Sequence, residues 1–514
     1  MMPRRLFSSP LAILTLLFSS ALALRLWGIT WGMPLKFAHV DESIVTFYSL
    51  RVVAGDPNPR VFFDYPSLFL YLLAAVFQIV LSLGVLWGKI ASVPQAMTAY
   101  LEGDSVVFTL SARLLNVFLG MLTVLLVYHM GRLWAEEFGF DRRETPPDPG
   151  KPLFIGAAAA AFLAVNRLHV LQAHYGTVDV PAALFSLLAL HQTLLFWKTN
   201  SLKTGLWAAG MIGLAASVKY YPAVFAGLLL PAPFVLKMRR PWKYAVFFLG
   251  AAAAGFFIGC PYALLTPHEF SARFFHLFPK IVWSAQTGGA PLFLPTLGHI
   301  LKNTGSPLLL LALYGLTGTL RRKNAVARVL AAAAGVLVLF FGTWATQLEH
   351  YAMAAYPLLF LFAAQGLWEL KSLHRAAPAV AAGLLVAWTA LPTFRQLQVL
   401  SQPDTRLTAY RWISQNIPPG SRLLRFAHTP EFRHTDPYSV QVDWENKRLL
   451  ETLEPSEFVK SFDFVIYSSY RPGDDDLLPR IKHNFPLVGE FHGPAPRFPH
   501  HPAIYVFQTK KDIS

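Results

Sequence analysis

From residue 10 to about residue 393 the chain is a succession of long apolar runs separated by short polar connections. A hydrocarbon core about 30 Å thick needs roughly 20 helical residues to cross it, so such runs read as transmembrane helices. The expected spans are the opening run, 107–131, 152–170, 181–198, 204–218, 221–236, 243–260, 305–320, 329–346, 351–369 and 376–393. That makes about eleven crossings. From residue 400 the pattern changes. "DTRLTAYRWISQNIPPGSRLLRF" reads as an amphipathic helix closed by Pro-Pro-Gly and followed by a short strand. "FDFVIYSS", "FPLVGEFHG" and "AIYVFQT" are strand-like, with a helix over "DDDLLPRIKHNF" between the first two. The pattern predicts a polytopic α-helical membrane domain over 1–395 and a small soluble α/β domain over 400–514.

Composition agrees with a membrane protein: 54% of the 514 residues are hydrophobic and only 14% are charged. A net charge of +15 points by itself to nucleic acid, but the arrangement of the charge does not. Lys and Arg gather in alternate connections: Arg132, Arg142, Arg143 and Lys151; Lys198 and Lys203; Lys237, Arg239, Arg240 and Lys243; Arg321, Arg322, Lys323 and Arg328; Lys371 and Arg375. The positive-inside rule accounts for this pattern and puts those loops in the cytoplasm. Nucleic acid is not an expected partner. Cys260 is the single cysteine, which excludes an intramolecular disulfide and a Cys-rich zinc site. Residues 1–23 have the outline of a signal peptide, yet the many spans that follow favour an uncleaved first helix.

The charge count has a topological consequence. Asp41 falls outside after one crossing and the 132–151 loop falls inside, so an odd number of crossings must separate them. Two apolar stretches lie between, 66–87 ("PSLFLYLLAAVFQIVLSLGVLW") and 107–131. The expectation is that 66–87 is a re-entrant or juxtamembrane helix walling a site, since irregular backbone at membrane depth must line protein or a cavity. Segments 31–106 and 261–304 are then outer loops, and the C-terminal domain is extracytoplasmic.

Polar groups collect on that outer side: Asp41 and Glu42; Asp64 and Tyr65; His169, His174, Tyr175 and Asp179; Lys219, Tyr220 and Tyr221; His268 and Glu269; Glu349, His350 and Tyr351. Singly, each fits an interfacial anchor. Together, on one face, they mark a site, because ionisable side chains at a membrane are costly unless solvated, paired or used. Familiar motifs are absent. There is no GxGxxG and no GxxxxGK[ST]. "HEFSARFFH" is not HExxH, and "GTVDV" is no nucleophile elbow.

The ordered set "HVDES", "YPSLFLYLL", "ARLLNVFLGMLTVLLVYHMGRLW", "LHVLQAHYGTVDVPAALFSLLAL" and "QLEHYAMAAYPLLFLFAAQGL" resembles the GT-C superfamily of polyprenyl-phosphate-sugar-dependent glycosyltransferases. The likeness is greatest to the branch of protein O-mannosyltransferases and the lipid A aminoarabinose transferase. It implies a GT-C fold and an inverting glycosyltransferase of the bacterial inner (plasma) membrane. The donor would be a polyprenyl-phosphate sugar, held among membrane lipids, and the acceptor a hydroxyl or phosphate on a protein, lipid or glycan. Asp41 would be the general base and Glu42 its neighbour. Asp179 matches the family's second-loop acid. Tyr65 stands where the aminoarabinose branch has the Lys of Lys-Pro-Pro, so Lys219, His268 or His350 must supply the positive charge. Tyr65, His174, Tyr220 and Tyr351 complete the expected substrate-binding set. No cofactor is otherwise required; a divalent ion, Mg²⁺ or Mn²⁺, would take Asp41 and Asp179. Trp-Trp-Asp, the mark of oligosaccharyltransferases, is missing. The alternatives are a transporter or flippase of lipid-linked sugars, and a lipid-linked glycan ligase or polymerase.

Overall fold

The computed structural model describes residues 10–60, 62–103, 105–137, 148–283, 293–321, 325–344, 348–443, 461–469, 477–494 and 500–509. Arg142, Arg143, Arg322 and Lys323 of the basic clusters lie outside the described residues, as do Asp474, Asp475 and Asp476 of the last expected helix. The chain divides into two units. One comprises Met1–Trp27, Val45–Ile79 and Ala112–Arg395; the other comprises Gly28–Ile44, Val80–Ser111 and Gln396–Ser514.

The helices run α1 (Pro10–Leu26), α2 (Val40–Val53), α3 (Leu68–Leu86), α4 (Val93–Leu101), α5 (Val106–Trp134), α6 (Gly150–Ala164), α7 (Arg167–Gln172), α8 (Asp179–Thr199) and α9 (Leu202–Ala216). The expected span 221–236 is broken into a 3-10 turn over Tyr221–Phe225 and two short helices, α10 (Ala226–Leu229) and α11 (Ala232–Val235). Pro222, Pro231 and Pro233 explain the breaks, because proline removes a backbone donor and clashes with the preceding turn. Then follow α12 (Pro241–Gly259), α13 (Tyr262–Leu265), α14 (Pro267–Trp283), α15 (Phe293–Thr304), α16 (Ser306–Arg321), α17 (Ala325–Gly342), α18 (Tyr356–Trp368) and α19 (Ala377–Leu400).

Among the described residues, 7 helices are long and apolar enough to cross a bilayer, and shorter apolar helices accompany them. One of the 7 is Leu68–Leu86, inside the segment expected to be a re-entrant or juxtamembrane helix. It runs 19 residues without interruption, so it lacks the two-armed shape of a re-entrant hairpin and has the length of a crossing helix.

Within the first unit α9 lies between α8 and α12, and α18 between α6 and α16. Lipid tails are as apolar as leucine, so membrane helices associate through close packing of small residues. A Cβ built on Gly315 would lie 2.0 Å from the Phe362 carbonyl oxygen, and one on Gly366 would lie 2.4 Å from that of Leu311. Gly315→Val is therefore expected to force α16 off α18 at a cost of about 1–3 kcal/mol. Thermal unfolding in detergent checks this, and an unchanged Tm would rule out the close approach.

The second unit carries a five-stranded sheet: β1 (Arg422–Phe426), β2 (Ser439–Asp443), β3 (Phe464–Ser469), β4 (Leu487–Phe491) and β5 (Ala503–Gln508), in the order β2-β1-β3-β5-β4. β1 is parallel to β2 and β3, whereas β5 is antiparallel to β3 and β4. Alternate residues feed opposite faces, as the two-residue period of a strand requires. Leu424, Val465 and Phe507 pack under α21 (Leu478–Asn484), and Leu423, Ile466 and Val506 under α20 (Thr405–Asn416).

Candidate active site

In the first unit the site begins with the turn "HYGTV", which delivers Asp179 to the first position of α8. Two side chains hold this turn. Asn116 of α5 donates to the carbonyls of Tyr175 and Thr177 at 2.5 and 2.7 Å. The ring nitrogens of His174 lie 2.8 Å from the Val170 carbonyl and 2.9 Å from that of Trp27. Burial pulls the His174 imidazole down to about 4 despite those two carbonyls. With both ring nitrogens against backbone carbonyls, His174 is a strut for the turn. Removing Asn116 strands two buried carbonyls, so Asn116→Ala is expected to destabilise by about 1–3 kcal/mol, read as a lower Tm in detergent.

Lys219 meets Asp179 from the far end of α9. The Leu68 amide donates to the Ser217 carbonyl at 3.0 Å, which brings "YPSL" beside "SVKYY". The Lys219 ammonium donates to Asp179 Oδ1 at 2.6 Å. It also lies 5.9 Å from the ring centroid of Tyr65 and 5.1 Å from that of Tyr351. Aromatic faces attract a cation through their quadrupole, by about 0.5–2 kcal/mol each. The Lys219 ammonium thus stands between the Asp179 carboxylate and the faces of two tyrosine rings.

Lys219, Tyr65 and Tyr351 line a cavity of about 830 Å³ whose remaining wall is almost wholly apolar, including Phe256, Phe270, Phe274, Phe340, Phe341 and Trp344. Tyr220 and Tyr221 also line it; the Tyr220 hydroxyl donates to the Phe63 carbonyl at 2.8 Å. Asp64 stands in the wall, where Arg273 of α14 grips it with two hydrogen bonds, one of them 2.7 Å. Phe270 and Phe274 of the same helix turn their rings to the chamber, so this amphipathic helix is apolar where it faces the cavity.

The remaining candidates stand apart from the cavity wall. His268 is exposed on α14. His350 packs its ring edge-on to Tyr351 at 4.9 Å. Glu349 is structural: it pairs with Arg167 and Lys302 and accepts from Asn303 at 2.9 Å. Arg273 and Asn116 were not singled out from the sequence. A lone amide in the apolar α5 was the available signal for Asn116, since polar groups in such helices are costly.

Asp41 and Glu42 belong to the second unit, in the first turn of α2, where the helix dipole favours carboxylates. Asp41 is half-buried and Glu42 is 2% exposed. Adjacent helical residues point about 100° apart, and the two carboxylates differ accordingly in access to solvent. Among the described residues no group of three or more His, Cys, Asp or Glu side chains is placed to hold a metal ion.

No protein-family model matches the sequence, and no curated protein does. Solved structures do. ArnT from Cupriavidus metallidurans in the apo state matches with a TM-score of 0.54 at 14% identity, covering 96% of this chain and 97% of that one. The same protein bound to undecaprenyl phosphate matches with a TM-score of 0.50 at 15% identity, covering 97% and 98%. The chain has the ArnT fold. This is the GT-C fold that the sequence resemblance implies, extending over nearly all of both chains. At such identity the likeness fixes the fold alone and leaves the chemistry to be argued from this chain's own residues.

Proposed function

We propose that the chain is an inverting glycosyltransferase that moves a sugar from a polyprenyl-phosphate donor to an acceptor hydroxyl on the non-cytoplasmic side of the plasma membrane. The observation that carries this reading is the apolar chamber with Lys219, flanked by two tyrosine rings, in its wall. Such a chamber suits a prenyl chain, and the cations suit the phosphate at its head. ArnT, whose fold this is, has been captured with undecaprenyl phosphate.

The chemistry follows from the groups present. Asp41 accepts the proton of the acceptor hydroxyl as the oxygen attacks the anomeric carbon. The bond from that carbon to the phosphate oxygen breaks, and polyprenyl phosphate leaves with the electron pair. Attack opposite the leaving group inverts the anomeric centre. Polyprenyl phosphate, a phosphate monoester, leaves as a stable anion, so no second acid is needed. What is needed is positive charge where negative charge develops. Lys219 and Arg273 provide it, each held ready by a carboxylate, Asp179 and Asp64 respectively. A divalent ion at Asp179 has to displace the Lys219 ammonium.

A transporter moves its cargo between compartments, whereas an enzyme consumes its donor in one. Purified protein in detergent, given a polyprenyl-phosphate sugar and an acceptor hydroxyl, is expected to release polyprenyl phosphate. Donor recovered intact with every acceptor class tried would favour the transporter.

A further inference from the structure

The stretch that leads into Asp41 and Glu42 is held by a side chain 395 residues away in sequence. The Lys36 and Phe37 amides donate to the two carboxylate oxygens of Glu431, at 2.8 and 2.6 Å. Charged acceptors make the stronger hydrogen bonds, and two consecutive amides on one carboxylate fix the orientation of the backbone there. The neighbours reinforce the grip. Arg406 is 2% exposed and bonds Asp404 at 2.9 and 2.7 Å, and its other nitrogen faces the carbonyls of Phe37 and Ala38 at 3.5 and 3.4 Å. The Lys36 ammonium lies 4.6 Å from the Tyr100 ring centroid, and the Tyr100 hydroxyl donates to the Ser43 carbonyl at 3.1 Å. Gly32 has φ +67°, and a Cβ on it would lie 2.7 Å from that of Ala38, so the segment doubles back tightly before α2. Burial pushes the Tyr100 phenol up, and the charges of Glu42 and Glu431 push it the same way. Both carboxylates therefore act on one ring.

We infer that Glu431 is a positioning residue: the C-terminal domain's carboxylate sets the backbone of residues 36–38 and so aims Asp41 and Glu42 for sugar transfer. The inference rests on the reading of Asp41 as the base. It makes the C-terminal domain part of the catalytic apparatus, acting through main-chain hydrogen bonds and without touching the substrate.

The test uses the full chain purified in detergent, as Glu431→Ala and Glu431→Gln. Gln keeps the size but offers one acceptor oxygen and one NH₂ to two amides, so both variants should behave alike. The expected result is a kcat lower by about 10²-fold, the scale of loss that a misplacement of about 1 Å carries, with KM for the polyprenyl-phosphate sugar and Tm unchanged. Amide hydrogen exchange at Lys36 and Phe37 should quicken while the strands stay protected. Glu490→Gln, on β4 beside Lys482 and His492, is expected to match wild type. An unchanged kcat, unchanged exchange at Lys36 and Phe37, or a fall in Tm with faster exchange throughout would each overturn the inference. If the wild-type chain transfers no sugar, the proposed function fails, and the exchange measurement still decides whether Glu431 holds the segment.

Discussion

Asp41→Asn is expected to lower kcat for sugar transfer by about 10²- to 10⁴-fold, the usual contribution of a general base. Asn has the shape of Asp and no useful basicity, so the acceptor proton has nowhere to go. Asp41 is half-buried in the first turn of α2 and is no part of the packed core. Expression, Tm and KM for the donor should therefore remain those of wild type. Initial rates of polyprenyl phosphate release read the effect directly. Full activity in the variant removes Asp41 from the base's role. Glu42→Gln is a different experiment, because Glu42 is 2% exposed and its loss also tests packing.

Lys219→Ala is expected to have the second large effect, on two readouts at once. The Lys219 and Asp179 side chains are only 13% and 9% exposed, so removing the ammonium takes the cation away from a nearly buried carboxylate. Breaking a buried pair from one side costs about 3–5 kcal/mol, which should appear as a marked fall in Tm. Donor binding and transfer should be lost with it, since the cation that meets the phosphate is gone. The double change Asp179→Asn with Lys219→Met separates the two effects. It removes the stranded charge, so Tm should return toward wild type while transfer stays absent. Recovery of transfer in the double variant would show that Lys219 serves only to neutralise Asp179.

The membrane architecture was legible because hydropathy over about 20 residues is a local property. The exception, 221–236, follows from Pro222, Pro231 and Pro233, whose effect is also local but which an average over apolar residues passes over. In the C-terminal domain the buried strands announced themselves as apolar alternation. β2, "SVQVD", did not, for it is an edge strand with partly exposed residues. At the site, Asp41, Glu42, Asp179 and Lys219 stood out as charges beside apolar runs. Their partners did not. The pairing of Lys219 with Asp179 joins the ends of two helices, that of Asp64 with Arg273 spans a long stretch of sequence, and that of Glu431 with residues 36–37 spans most of the chain. No periodicity encodes such contacts; they exist only once the chain is folded.

The central claim is that the acids at 41 and 179 both face the non-cytoplasmic side of the membrane. Cysteines placed one at a time at the two positions, with Cys260 replaced, can be challenged with a thiol reagent that does not cross membranes. The account predicts that the reagent labels each position when added from the non-cytoplasmic side. Reaction of the two cysteines from opposite faces, or of either one only from the cytoplasmic side, would contradict it.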